Sequence, residues 1–63
     1  MTLIEELQEE IIRVKEIIKD YELYPGGQFV SIEMALTVRT AEKAIARENN
    51  IMMKRCLKEL KLY

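Results

Sequence analysis

The only proline and both glycines of this 63-residue chain stand side by side, as Pro25, Gly26 and Gly27. Proline disfavours helical geometry at the residue before it, and glycine readily adopts positive φ. The remaining sequence shows helical spacing of apolar residues and no period-two alternation. We therefore predict an all-α fold in one domain, residues 1–63: two long antiparallel helices and a short C-terminal helix. The expected bounds are helix 2–22, turn 23–27, helix 28–47 and helix 50–61.

The first helix has the clearest signals. Thr2 and Glu5 have the spacing of a capping box, in which each side chain binds the other residue's backbone amide. Apolar residues then recur every three or four positions, at Ile4, Leu7, Ile11, Val14, Ile18 and Tyr21. Further apolar residues widen this stripe, so we expect the first helix to have more than one neighbour, as in a bundle.

The core positions of the later helices follow from the same spacing. In the second helix we expect them to be Phe29 or Val30, followed by Met34, Val38, Ala41 and Ile45. Asn49 or Asn50 is a suitable N-cap for the third helix. Its apolar positions are Ile51, Met52, Met53, Cys56, Leu57 and Leu60.

A core this small rarely stabilises a fold by more than a few kcal/mol without help. With one cysteine, Cys56, the chain cannot form an internal disulfide, and without histidine a metal site is not expected. We therefore expect a homo-oligomer. The acidic start of the chain does not resemble a signal peptide, and no apolar run is long enough to span a membrane, so a cytoplasmic location is expected.

The sequence does not favour an enzyme. Histidine is absent, so no Ser–His or Cys–His arrangement exists. The carboxylate pairs Glu5/Glu9 and Glu6/Glu10 lie at a helix start, where solvated charges that favour the helix dipole are the usual interpretation. Cys56 lies on an apolar face and is expected to be a buried, inert thiol. We predict no catalytic residues, no metal and no cofactor.

Charge is unevenly distributed: residues 1–23 carry net −4 and residues 24–63 carry net +3. Arg39, Lys43 and Arg47 recur every four residues and form a basic stripe on the second helix. Like charges at this spacing destabilise a helix, so a partner is expected. The partner is either the acidic face of the first helix, in this or another subunit, or a ligand phosphate, to which Thr37 and Thr40 could donate hydroxyl hydrogen bonds.

The turn itself is the second candidate site. Gly26 and Gly27 lead into a helix N-terminus, where backbone amides and the helix dipole favour an anion. Aromatic rings nearby could stack on a nucleobase. The simpler interpretation is that this stretch is only a turn and Phe29 a core residue. The predicted ligand-binding set is Tyr24, Pro25, Gly26, Gly27, Gln28, Phe29, Thr37, Arg39, Thr40 and Lys43.

The stretches "YPGGQF" and "AEKAIARENNIMMKRCLKEL" resemble small all-helical phage proteins, in particular the phage anti-CBASS sponge family. The resemblance covers about two thirds of the chain. It implies binding and sequestration of a cyclic dinucleotide or oligonucleotide immune signal in the host cytoplasm, without catalysis, in a pocket where subunits meet. The phosphates would face Gly26, Gly27 and the basic residues, and the bases would lie against Tyr24 or Phe29.

Two other functions are compatible with the sequence. A helical oligomer could act as a protein-interaction module, docking through the apolar stripe of the first helix. A regulator could bind nucleic acid through Lys54, Lys58 and Lys61, which form a second basic stripe on the third helix. The net charge of −1 argues against this role, and we expect no DNA partner.

Overall fold

The computed structural model describes all residues from 1 to 63 and contains three α-helices and no strands. They are α1 (Leu3–Glu22), α2 (Gln28–Ala46) and α3 (Asn50–Leu60). An all-helical fold was predicted, and the structure confirms it. The helix ends differ by at most one residue from those expected, since local capping and turn chemistry sets them.

The N-terminus of α1 is held by the predicted capping box. Thr2 Oγ1 accepts a hydrogen bond from the Glu5 amide at 3.2 Å, and the Glu5 carboxylate accepts one from the Thr2 amide at 3.3 Å. Both partners satisfy amides that a helix start leaves without intrahelical acceptors. This interaction is local in sequence, so the spacing alone could predict it.

The junction between α2 and α3 combines two caps. Glu48 adopts a positive φ of 53°, and the amides of Glu48 and Asn49 bind the carbonyls of Ile45 and Ala44. This is a Schellman motif, which ends a helix with a left-handed residue. The Asn49 side chain then accepts a hydrogen bond from the Met52 amide, which confirms Asn49 as the N-cap of α3.

All three pairs of helices are in contact, and they enclose one core. Ten hydrophobic residues are buried in it: Leu7, Ile11, Val14, Met34, Val38, Ala41, Ala44, Met53, Cys56 and Leu60. As expected, α1 has two neighbours. Ion pairs join Lys15 to Glu42 of α2 and Glu6 to Lys61, the residue that follows α3. The Arg13 guanidinium also donates to the Leu60 carbonyl at 2.8 Å, at the C-terminus of α3.

The prediction that Phe29 or Val30 begins the core of α2 is wrong. Phe29 is 83% exposed and Val30 is 39% exposed, whereas Ser31 is buried. Ser31 lies one turn before Met34 on the inward face, and its hydroxyl donates to the Gln28 carbonyl at 2.9 Å. Because that bond satisfies the buried hydroxyl, a polar residue is tolerated at this inward position.

The third helix does not reach the turn between α1 and α2. It has 11 residues against 19 in α2, and the hydroxyl of the C-terminal residue Tyr63 lies 3.5 Å from that of Thr37. The half of the α1–α2 hairpin nearest the turn is therefore two helices thick. Large apolar residues at this end, among them Leu23 and Tyr24, remain exposed. None of the helices combines the length and the apolar character that a membrane span requires.

Candidate functional site

The two glycines of the turn are required by its backbone. Gly26 has a φ of +84°, a region that side chains other than glycine rarely adopt. At Gly27 an added Cβ would clash with the Tyr21 carbonyl oxygen, because the start of α2 passes close to the end of α1. Both glycines are therefore explained by the turn, whether or not a ligand approaches them.

The first turn of α2 has amide groups available to an anion. Its N-cap, Gly27, has no side chain to accept from them, whereas α1 and α3 are capped by Thr2 and Asn49. The Gly27 amide itself is occupied, since it donates to the Tyr24 carbonyl at 3.1 Å. The amides of the next three residues, 28–30, have no acceptor within the chain. These three amides, rather than that of Gly27, are the ones a phosphate could bind.

Two aromatic rings lie exposed beside this helix start. Tyr24 precedes Pro25 in the turn, and Phe29 is on the first turn of α2. Gln28, between them in sequence, is also exposed. Exposed rings retain a free face on which a planar base can stack. The predicted turn residues are therefore accessible, and Phe29 is available because it is not part of the core.

The basic stripe of Arg39, Lys43 and Arg47 is exposed and has no ion pair within the chain. By contrast, every base of α1 is paired with a carboxylate. The contact between α1 and α2 joins a base of α1, Lys15, to an acid of α2, Glu42. The acidic face of α1 in the same subunit is therefore not the partner of the stripe. The alternatives left for the partner of the stripe are a ligand and another subunit.

The two threonines beside the stripe do not offer free hydroxyl protons. Thr37 Oγ1 donates to the Glu33 carbonyl at 3.2 Å, and Thr40 Oγ1 donates to the Leu36 carbonyl at 2.9 Å. Bonds of this kind to the preceding turn are common for threonine in helices. A phosphate would have to compete with the helix for these protons, which weakens the case for Thr37 and Thr40.

The predicted binding residues fall into two groups that one chain does not bring together. The turn group spans residues 24–29, and the other group comprises Thr37, Arg39, Thr40 and Lys43. Gly27 and Arg39 are twelve positions apart on one helix, which at 1.5 Å per residue separates their backbones by about 18 Å. Lys43 lies about 24 Å from Gly27 by the same measure. One phosphate cannot contact both groups in a single chain.

One concave surface was not predicted from the sequence. An open groove of about 410 Å³ lies between α1 and α2, lined by Gln8, Ile11, Ile12, Glu42 and Ile45. Its only charged lining residue is a carboxylate, so the groove does not favour a phosphate. It depends on how two helices pack side by side, and the sequence carries no local signal for it.

The thiol and the lysines of α3 are in ordinary environments. Cys56 is buried as predicted, and burial is the main cause that raises its pKa above the usual value, which disfavours the nucleophilic thiolate. Lys61 is hydrogen-bonded to Glu6 at 2.8 Å, which raises its pKa. Lys54 and Lys58 are exposed without ion pairs.

No group of three or more acidic, cysteine or histidine side chains is placed to hold a metal ion.

Comparison with known proteins gives no relative for this chain. No family model matches it, and no curated protein or solved structure matches it significantly. A function for this chain must therefore be inferred from the exposed turn and the outward face of α2.

Proposed function

We propose that this chain binds a cyclic dinucleotide or cyclic oligonucleotide and sequesters it unchanged, acting as an oligomer. In the setting implied by the sequence resemblance, it would be a phage protein that keeps an immune signal from its effectors in the host cytoplasm. The observation that carries the proposal is the basic stripe, whose three cations are exposed and have no partner within the chain.

The spacing of the stripe has an energetic consequence. Each like-charge pair at i, i+4 destabilises a helix by about 0.2–0.5 kcal/mol, and Arg39, Lys43 and Arg47 make two such pairs. A bound anion would offset this cost. Arginine also binds phosphate through two parallel hydrogen bonds, which suit the two non-bridging oxygens of a phosphate diester.

The turn would contribute the contacts to the bases. Tyr24 and Phe29 are exposed, and stacking of a base on an aromatic ring contributes about 1–3 kcal/mol per base. The uncapped amides at the start of α2 suit a phosphate oxygen. Sequestration needs binding alone, and the proposal assigns no residue of the chain to bond making or breaking.

The test is a binding titration with a panel of cyclic dinucleotides and oligonucleotides, read by native mass spectrometry. The bound ligand should be released on denaturation with its mass unchanged. Arg39→Glu should weaken binding at least about tenfold, since a charge-assisted hydrogen bond contributes about 1.5–3 kcal/mol. Lys54→Glu is the matched control, because it changes the charge equally at an exposed position of α3 and should leave affinity unchanged. If no nucleotide binds, or both variants weaken binding equally, the proposal fails.

A second candidate, a protein-interaction module, is favoured by the exposed apolar residues of α2. The expected docking route through the apolar stripe of α1 is wrong, because Leu7, Ile11 and Val14 of that stripe are buried in the chain's own core. A docking partner would instead contact Phe29, Ile32 and Leu36. Purification from cells would then recover a stoichiometric protein partner and no nucleotide.

A further inference from the structure

The outward face of α2 carries an apolar patch that nothing in the chain covers. Phe29, Ile32 and Leu36 are 83%, 58% and 57% exposed. At 100° per residue they lie within about 60° of one another around the helix axis, so they form one surface, the α2 patch. The basic stripe continues the same face toward the C-terminus. This face is therefore apolar over its first half and basic over its second half.

The rest of the molecule gives reasons for this patch to be covered. The core contains ten hydrophobic residues, and α3 ends near Thr37, which leaves the turn half of the hairpin two helices thick. The chain has one cysteine and no cluster of metal ligands, so neither a disulfide nor a metal stabilises it. Association with another subunit is one way for a chain of this size without such links to gain apolar burial.

We propose that a second copy of this chain packs its own α2 patch on this one, with the two α2 helices antiparallel around a twofold axis near Ile32. A twofold contact needs a self-complementary surface, and a single apolar patch on each copy supplies one. In this register Phe29 of one copy lies over Leu36 of the second copy. The two apolar halves cover each other, and the two basic stripes point to opposite ends of the dimer.

The charges decide between antiparallel and parallel packing. Parallel helices would place each residue of the basic stripe beside its equivalent in the other copy, and close like charges repel. Antiparallel packing separates the stripes and places Arg39, the first residue of each stripe, level with the turn of the second copy. Glu22, the last residue of α1 at that turn, has no ion pair within the chain. It lies on the same side of α1 as Lys15, which is paired with Glu42 of α2, so without a ligand it complements the stripe of the second copy.

The same register unites the two groups of candidate binding residues, a consequence that rests on the proposed function. Arg39 and the turn are about 18 Å apart in one chain, but Arg39 of one copy is level with Gly26 of the second copy. Each dimer would therefore hold two equivalent sites, with the turn from one copy and the cations from the other. A bound phosphate would replace Glu22 beside the stripe.

The dimer is tested first by mass, without any ligand. Light scattering of the full chain at about 100 μM, well above a micromolar dissociation constant, should give twice the 7.4 kDa of one copy. Leu36→Glu should give the monomer mass with the helical circular dichroism retained. Ile12→Glu is the matched control, since Ile12 is 64% exposed on α1, and it should remain dimeric. A monomeric wild-type chain, or a dimeric Leu36→Glu variant, would overturn the proposal.

The register is tested by disulfide trapping. A mixture of Phe29→Cys and Leu36→Cys chains should form the mixed disulfide dimer under mild oxidation, while each variant alone gives little dimer. The native thiol of Cys56 is buried, so the wild-type chain under the same oxidation is the background control. Efficient dimers from each variant alone would indicate parallel helices and contradict the antiparallel register. A mixture that gives no more disulfide dimer than the wild-type chain would also contradict the antiparallel register.

Discussion

At the scale of single residues, the turn contains two glycines that are needed for different reasons. Gly26 supplies a positive φ with open space around it, whereas Gly27 has an ordinary φ and no room for a Cβ. The sequence pattern predicted the turn and its glycines, but not which of them is limited by space. That distinction depends on the approach of the Tyr21 carbonyl, which belongs to the preceding helix.

We expect Gly27→Ala to destabilise the fold more than Gly26→Ala. The strained φ should cost Gly26→Ala about 1–2 kcal/mol. A Cβ at Gly27 would clash with a backbone oxygen that cannot move without shifting the turn. Overpacking typically costs about 1–3 kcal/mol, and we expect Gly27→Ala to lose stability at the upper end of that range. Thermal unfolding followed by circular dichroism measures both losses, because each kcal/mol of lost stability lowers the Tm of a domain of this size by about 4–8 °C. Equal losses would contradict the assigned roles.

At the scale of the helix, α1 shows that apolar spacing alone does not decide burial. Leu7, Ile11 and Val14 of the predicted stripe are buried, whereas Ile4 and Tyr21 of the same stripe are exposed. On α2 the same reasoning failed at its first turn. Phe29 is the largest apolar residue there, yet the inward position is that of Ser31. Near a helix end, the apolar spacing is compatible with more than one choice of inward-facing residue. The packing of the neighbouring helices decides which residue points inward.

The inward and outward faces of α1 should respond differently to truncation. Leu7→Ala should lower the free energy of unfolding by about 2–5 kcal/mol, because it removes a fully buried side chain and leaves a cavity. Ile12→Ala should change it by no more than about 0.5 kcal/mol, as is usual for an exposed position. Urea unfolding of the two variants under identical conditions makes the comparison. A loss at Ile12 that matches the loss at Leu7 would show that Ile12 is covered in solution.

At the scale of the whole molecule, the candidate site is divided between the two ends of α2. The binding residues were chosen from the sequence by their chemistry, and the structure places them in two groups about 18 Å apart along the helix. The helix predicted over residues 28–47 already implied that separation, since twelve residues at 1.5 Å each span about 18 Å. A second copy packed antiparallel would bring the groups together.

Mixing two defective variants tests this arrangement directly. Arg39→Glu and Tyr24→Ala should each weaken binding of cyclic di-adenosine monophosphate, or of whichever panel nucleotide the wild-type chain binds. In a mixed dimer with composite sites, one site carries both changes and the other carries neither. An equal mixture should therefore recover up to about a quarter of the wild-type sites, since half of the dimers are mixed. Sites contained within single chains would recover none, which would contradict the composite site while leaving the dimer unaffected.

Local sequence patterns predicted the elements of this protein: the three helices, the cap at Thr2, an asparagine cap at Asn49 or Asn50, and the turn at Gly26 and Gly27. These features depend on contacts between residues close in the chain, so a short pattern contains the information. Only the packing of the helices showed that Ser31, rather than Phe29 or Val30, points inward at the first turn of α2, where α3 ends along the hairpin, and that the basic stripe has no partner within the chain. These depend on how separate helices pack, and helical periodicity leaves several packings open.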